Sequence, residues 1–176
     1  TSYRGHEVYS NPATSRGGCE VLRGANLIEP VDLKQAGPGT ATALHAVIES
    51  IKISKADIYR YVADPAFAAV PTLGLLSRDF ATARRALFNP ARAIAYPPPG
   101  TPAGASPTMP RADGPVFADA YDPEQHTTSF SIVDRFGNAV GCTPTLGGLF
   151  GSNVVVGNTG LLLNNGMRLG STSPYP

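Results

Sequence analysis

The sequence predicts an α+β fold on three observations. Two well-punctuated helices lie between Thr40 and Phe88, strand-like alternation fills the last third, and a Pro/Gly-rich segment separates them. With 176 residues, 42% hydrophobic and 15% charged, the chain can bury a core and is sized for one domain. A formal net charge of +1 gives no general electrostatic reason to expect nucleic acid or an anionic membrane as partner. No apolar run approaches the length of a membrane span, and the polar start Thr1-Ser2-Tyr3-Arg4 is no signal peptide. Localisation is therefore unread from these residues.

Tyr3 to Tyr9 sets Tyr3, Val8 and Tyr9 among polar residues and stops at Ser10-Asn11-Pro12, the pattern of a short strand ending in a turn. Ser15 is placed to cap a helix running to about Ile28. Gly17, Gly18 and Gly24 weaken that helix, and Gly17-Gly18 has a second reading as a point of close backbone approach. The clearest helix runs from near Thr40 to about Val62, with Leu44, Val47, Ile48, Ile51, Ile58 and Tyr61 at helical spacing and Asp64-Pro65 as its end. A further helix from Arg78 to Phe88 has Ser77 as N-cap, Asp79 in its first turn and Asn89-Pro90 as its stop.

From Tyr96 to about Pro115 the composition changes, with Pro97-Pro98-Pro99-Gly100 followed by Pro102, Gly104, Pro107, Pro110, Gly114 and Pro115. Lacking amide donors and apolar side chains to offset the entropy of ordering, this segment is expected to be mobile or extended rather than packed. Beyond it, Phe130 to Asp134 alternates as a half-buried strand, Arg135-Phe136-Gly137-Asn138 makes a turn, and Ala139 to Thr145 returns as its hairpin partner. Val154-Val155-Val156 and Leu161-Leu162-Leu163 are two further strand candidates, so the last third reads as a β meander.

The block His126-Thr127-Thr128-Ser129 is a hydroxyl-rich strand entrance behind that segment. Alternation places Thr128, Phe130 and Ile132 on one face and Thr127, Ser129 and Ser131 on the other. Such an entrance suits a chain that cuts itself to expose a new N-terminal threonine, with Thr127 as nucleophile. Hydroxyl residues near a strand start also commonly decorate a solvent face, and pattern alone leaves both readings open. Cys19 and Cys142 lie far apart without metal-ligand spacing and read as two buried free thiols. No metal or cofactor is expected.

Several separated blocks, in order, resemble the γ-glutamyltransferase (γ-glutamyl transpeptidase) family. The run from Thr127 to Val140, Thr143-Pro144-Thr145-Leu146, Phe150-Gly151-Ser152 and Gly160-Leu161-Leu162-Leu163-Asn164-Asn165-Gly166-Met167 resemble the start of that family's small subunit. Upstream, Tyr3-Arg4-Gly5, Glu7-Val8-Tyr9, Ser15-Arg16-Gly17-Gly18, Asp57-Ile58-Tyr59-Arg60-Tyr61, Asp64-Pro65-Ala66-Phe67 and Gly74-Leu75-Leu76-Ser77 look like the end of its large subunit. The resemblance covers essentially the whole chain but only the middle of a typical precursor. It implies residues 1–95 as large-subunit region, 96–126 as a flexible linker ending at the processing site, and 127–176 as small-subunit region. The implied fold is part of an αββα four-layer sandwich of the N-terminal-nucleophile hydrolase type.

The implied chemistry is self-cleavage between His126 and Thr127. The Thr127 hydroxyl attacks the preceding carbonyl, the acyl group shifts from nitrogen to oxygen, and water hydrolyses the ester. The freed α-amine, with a reference pKa near ~8, then serves as general base for its own hydroxyl. That hydroxyl attacks the γ-amide of a glutathione-like donor, forming a γ-glutamyl ester that water or an acceptor amine resolves. Thr145 matches the family threonine that orients the nucleophile, and Thr143 is a weaker candidate; an ordinary strand threonine is the alternative for Thr145.

Departures from the family pattern bear on the substrate. Gly147 stands where well-studied members carry asparagine, and Gly166, Arg168 and Leu169 stand where they carry a Gln or Glu and acidic residues. These groups normally hold the α-amino end of a γ-glutamyl substrate, and unpaired polar partners cost discrimination. The Asn164-Asn165-Gly166-Met167 form is similar to a broader branch that includes cephalosporin acylases. Arg168 reads either as a carboxylate contact or as a solvated arginine. The family's carboxylate-gripping arginine and oxyanion glycine pair are expected outside this chain, so activity belongs to a longer or assembled protein.

Two hypotheses follow. One is an amide-cleaving enzyme self-processed at Thr127, acting on a γ-glutamyl or other acyl amide with the remainder of both subunits as partners. The other is an uncleaved, non-catalytic relative serving as a binding module. Periplasmic or secreted localisation is implied by the resemblance alone.

Overall fold

A computed structural model describes residues 1–13, 15–106 and 126–165. They fall into two compact units, whose described parts are 1–106 and 126–165. The α+β class holds, with helices dominating the first unit and strands the second.

The first unit opens with β1 (Ser2–Tyr3) and β2 (His6–Glu7), paired antiparallel through Ser2↔Glu7 and Tyr3↔His6. The single strand expected over Tyr3 to Tyr9 is thus a hairpin. The chain reverses at Arg4 (φ 48°) and Gly5 (φ 84°), the left-handed pair that two-residue hairpin loops require. Arg4 is held there by its amide donating to Glu29 Oε1 at 2.9 Å and its Nη2 to the Val31 carbonyl at 2.7 Å.

Helix α1 (Arg16–Ile28) is capped by the Ser15 hydroxyl, which accepts from the Gly18 amide at 3.4 Å. Both readings of the glycines hold at Gly18: it is helical, and a Cβ there would lie 2.1 Å from the Asn11 carbonyl oxygen. The four-residue helix α2 (Leu33–Ala36) was not anticipated; Asp32 Oδ1 accepts from the Gln35 amide at 2.9 Å. Helix α3 (Ala41–Tyr61) starts on Thr40, whose Oγ1 accepts from the Ala43 amide at 3.2 Å. Its buried side is not its apolar stripe. Ile58 and Tyr61 are buried, but Leu44, Val47, Ile48 and Ile51 are 37–52% exposed, while Glu49, Ser50, Ser54 and Asp57 face inward.

After the short α4 (Thr72–Leu75), α5 spans Arg78–Arg85 with the Ser77 hydroxyl accepting from the Phe80 amide at 3.1 Å. It stops three residues before Phe88 because Leu87 and Phe88 donate to Arg84 and Arg85, tightening the last turn ahead of Pro90. Cys19, Ile58, Tyr61, Val62, Leu75 and Phe80 form one buried cluster, and Leu27, Ile53 and Ala81 another. Cys19 is buried as expected, but Cys142 is only half-buried, because it sits in an exposed hairpin; both are free thiols.

The unpacked segment expected from Tyr96 onward is packed over its described part, 96–106. Asp57 Oδ1 accepts from the Gly100 amide at 2.7 Å, Tyr61 Oη donates to the Gly100 carbonyl at 2.8 Å, and Arg84 Nη2 donates to Pro98 O. Pro97 and Pro102 are buried. The physical reason is that proline keeps its carbonyl, and the Pro98 carbonyl is an acceptor that the buried Arg84 needs. The rest of the segment, 107–125, lies outside the described residues.

In the second unit, β4 (Phe130–Val133) and β5 (Ala139–Cys142) pair from Phe130↔Cys142 to Val133↔Ala139, while β3 (His126–Thr127) pairs with β6 (Thr145–Gly147). A broken hairpin replaces the expected meander, since Pro144 has no amide to continue the ladder. Val154–Val156 and Leu161–Leu163 form no strands, only the bridge Val155↔Leu162. Among the described residues no helix is long and apolar enough to cross a membrane.

Candidate active site

The site is built by counting from a turn. Asp134 Oδ1 accepts from the amides of Phe136 (2.8 Å) and Asn138 (2.9 Å), and Asn138 Nδ2 donates to Asp134 Oδ2 at 2.8 Å. Gly137 supplies the left-handed residue, φ 85°. This local network fixes Val133 opposite Ala139. Six residues back on one arm is Thr127 and six forward on the other is Thr145, and the two are paired across β3 and β6. An even number of steps keeps both on one face.

Thr127 Oγ1 consequently lies 3.1 Å from Thr145 Oγ1, its donor–acceptor partner. Thr145 Oγ1 also accepts from the Gly147 amide at 2.9 Å, which leaves it a fixed acceptor for the Thr127 proton. The register slips by one residue between His126 and Thr127, placing the peptide bond that joins them at an irregularity in the ladder. The next amide is tied down, with Thr128 N donating to the Pro144 carbonyl at 3.3 Å.

Beside this pair is an open cavity of about 420 Å³. Thr127, Thr128 and Thr145 give it hydroxyls, and Pro144, Leu146 and Leu149 give it an apolar wall. No charged side chain lines it among the described residues. Gly147 is buried with φ 84°, and a Cβ there would fall 1.9 Å from Asn165 Oδ1. Among the described residues no group of three His, Cys, Asp or Glu side chains gathers to hold a metal.

The structure therefore brings Thr127 and Thr145 together and places the His126 backbone beside them, while Thr143 is exposed and has no strand partner. Gly166, Arg168 and Leu169 lie outside the described residues. Sequence reasoning missed the apolar wall and the contact of Asn165 with the Gly147-Gly148 turn. Asn165 is separated from Gly148 by 17 positions, a distance no local pattern spans.

The family model of gamma-glutamyltranspeptidase matches residues 1–173. The chain is 36% identical over 174 residues to the glutathione hydrolase proenzyme of Escherichia coli (strain K12), covering 98% of this chain and 27% of the relative. It is 35% identical over 175 residues to the acylase ACY 1 proenzyme of Pseudomonas sp. (strain SE83), covering 99% and 28%. Among solved structures it is similar to the cephalosporin acylase from Bacillus halodurans, with a TM-score of 0.67, 26% identity and coverage of 99% of this chain and 27% of that one. The chain thus spans about a quarter of the length of these proteins.

Proposed function

The chain belongs to the gamma-glutamyltranspeptidase family, and from that premise we propose that it carries the nucleophile of a self-processed amide hydrolase or acyltransferase. The observation that carries the reading is the 3.1 Å contact between Thr127 Oγ1 and Thr145 Oγ1. A threonine hydroxyl is a weak nucleophile until its proton has somewhere to go and its lone pair is aimed. Thr145, fixed by the Gly147 amide, holds the Thr127 hydroxyl in one orientation.

In the precursor, the Thr127 oxygen attacks the His126 carbonyl, the His126–Thr127 C–N bond breaks as the acyl group moves to oxygen, and water hydrolyses the resulting ester. The new α-amine of Thr127 takes the hydroxyl proton in each later turnover. The substrate's amide carbonyl receives the oxygen, its amine leaves, and water or a second amine releases the acyl group. Residues 1–95 then belong to the large subunit, 96–126 connect it to the scissile bond, and 127–176 begin the small subunit. The four-layer αββα sandwich, the oxyanion donors and the remaining substrate contacts belong to the complete protein.

A second reading of the substrate, an acylase acting on amides other than γ-glutamyl ones, is favoured by the uncharged, largely apolar cavity wall and by Gly147. A panel of γ-glutamyl and simple acyl amides separates the two by relative kcat/KM. Mass spectrometry of the complete protein tests the shared mechanism. Two separate fragments, one ending at His126 and one beginning at Thr127, in the wild type, and an intact Thr127→Ala chain without turnover, are expected. A wild-type chain that stays whole and turns over no amide would establish the non-catalytic alternative instead.

A further inference from the structure

We infer that Asn165 is a positioning residue for the nucleophile, acting through the Gly147-Gly148 turn on Thr145. The inference rests on the reading of Thr127 as nucleophile. Asn165 Oδ1 accepts from the Gly148 amide at 3.1 Å, and the Asn165 amide donates to the Leu146 carbonyl at 3.0 Å, so this one residue grips the turn on both sides of Gly147. The amide of Gly147, held in between, donates to Thr145 Oγ1 at 2.9 Å, and Thr145 Oγ1 receives the Thr127 hydroxyl at 3.1 Å. The chain of contacts is short, running through two hydrogen bonds to the turn, the turn's own backbone at Gly147, and two hydrogen bonds on to Thr145 and Thr127.

Position 147 is shaped to admit this grip. Its φ of 84° is left-handed, and the space a Cβ would take holds Asn165 Oδ1 at 1.9 Å and Cγ at 3.1 Å. Glycine at 147 and the carboxamide at 165 are two halves of one fit. The absence of a side chain at 147 is therefore tied to orienting the nucleophile, in addition to any effect on substrate. Misaiming a reacting group by about 1 Å can cost on the order of a hundredfold in rate.

The test uses the rate of self-cleavage at His126–Thr127, which needs no added substrate, followed by mass spectrometry during cell-free synthesis of the complete protein. Asn165→Leu removes the acceptor at similar volume and is expected to slow cleavage about ten- to a hundredfold. Asn165→Asp keeps an oxygen facing the Gly148 amide and is expected to stay within about threefold of wild type. With Thr145→Ala as background, Asn165→Leu should cost less than about twofold, because the hydroxyl it orients is gone.

Equal losses in both backgrounds, or Asp as damaging as Leu, would overturn the positioning role. Where Asn165→Leu does not fold, Gly147→Ala gives the second measurement: its loss is expected to be larger with asparagine than with glycine at 165, and equal losses overturn the inference. Cleavage that persists in Thr127→Ala sinks the nucleophile reading itself. A dead Thr127→Ala beside additive Asn165 losses sinks only the role of Asn165.

Discussion

Two aspartates show how differently the two units are organised. Asp57 is fully buried in the helical unit, and its carboxylate receives Arg23, Arg84 and the Gly100 amide, partners 34, 27 and 43 residues away. Asp134 stands at an exposed turn of the strand unit, and its partners Phe136 and Asn138 are two and four residues away. Each carboxylate organises a stretch of backbone. The first does so by tying distant elements into a core, the second by closing a loop on itself. Among the described residues of the strand unit, Gly147 alone is buried. The candidate site therefore depends on hairpin register and local hydrogen bonds, whereas the helical unit depends on buried surface and paired charge.

The strongest way to break this comparison is Asp57→Ala. Two buried guanidinium groups and an amide lose their acceptor together, and breaking a buried ion pair costs about 3–5 kcal/mol. Denaturant titration measures it, and a loss below about 1 kcal/mol would mean that the arginines find water or other acceptors. Ile58→Ala, at a fully buried position, is expected to cost about 2–5 kcal/mol through lost burial and a residual cavity.

Thr40→Ala should cost about 1 kcal/mol, since it strips the cap from a 21-residue helix without touching the core. Ile132→Ala, on a side chain 58% exposed, is expected to stay within about 0.5 kcal/mol. A larger loss in the complete protein would show that another segment covers that strand.

The smallest effect sharpens the other side of the comparison. The Asn138 side-chain amide, aided by the amides of Phe136, Asn138 and Gly137, holds the Asp134 carboxyl below the usual carboxylate range. Because its pKa is lowered in the folded turn, the stabilisation is present in full above the unfolded value and is lost as pH falls through the folded one. The protection factors of the Phe136 and Asn138 amides, which divide out the intrinsic slowing of exchange in acid, should fall as pH drops through the Asp134 titration, and Asp134→Asn should remove that dependence. Protection factors that hold steady or rise at low pH would reverse the assignment.

Much of the site was legible because its information is local. Arg135-Phe136-Gly137-Asn138 announces the turn and alternation sets the faces, whereas Thr145 was singled out by the family resemblance and the structure pairs it with Thr127. The caps at Ser15, Thr40 and Ser77 were legible for the same reason. The inward face of α3 was not. Periodicity selects Leu44, Val47, Ile48 and Ile51, yet Glu49, Ser54 and Asp57 are the residues turned inward, because Lys52, the Glu20 carbonyl and the two arginines satisfy them there. The packing of 96–106 was illegible too, since composition records missing amides but not that Arg84 and Tyr61 would use the Pro98 and Gly100 carbonyls.

By itself, the sequence determined the helix starts at Ser15, Thr40 and Ser77 and the hairpin turn, all set by hydrogen bonds within a few residues of chain. Only the tertiary structure decided which face of α3 is buried, that Gly100 and Pro98 meet Asp57 and Arg84, that Thr127 meets Thr145, and that Asn165 fills the space left open at Gly147. Those outcomes depend on partners brought together by folding, and a buried donor or acceptor is governed by whichever group the fold sets beside it.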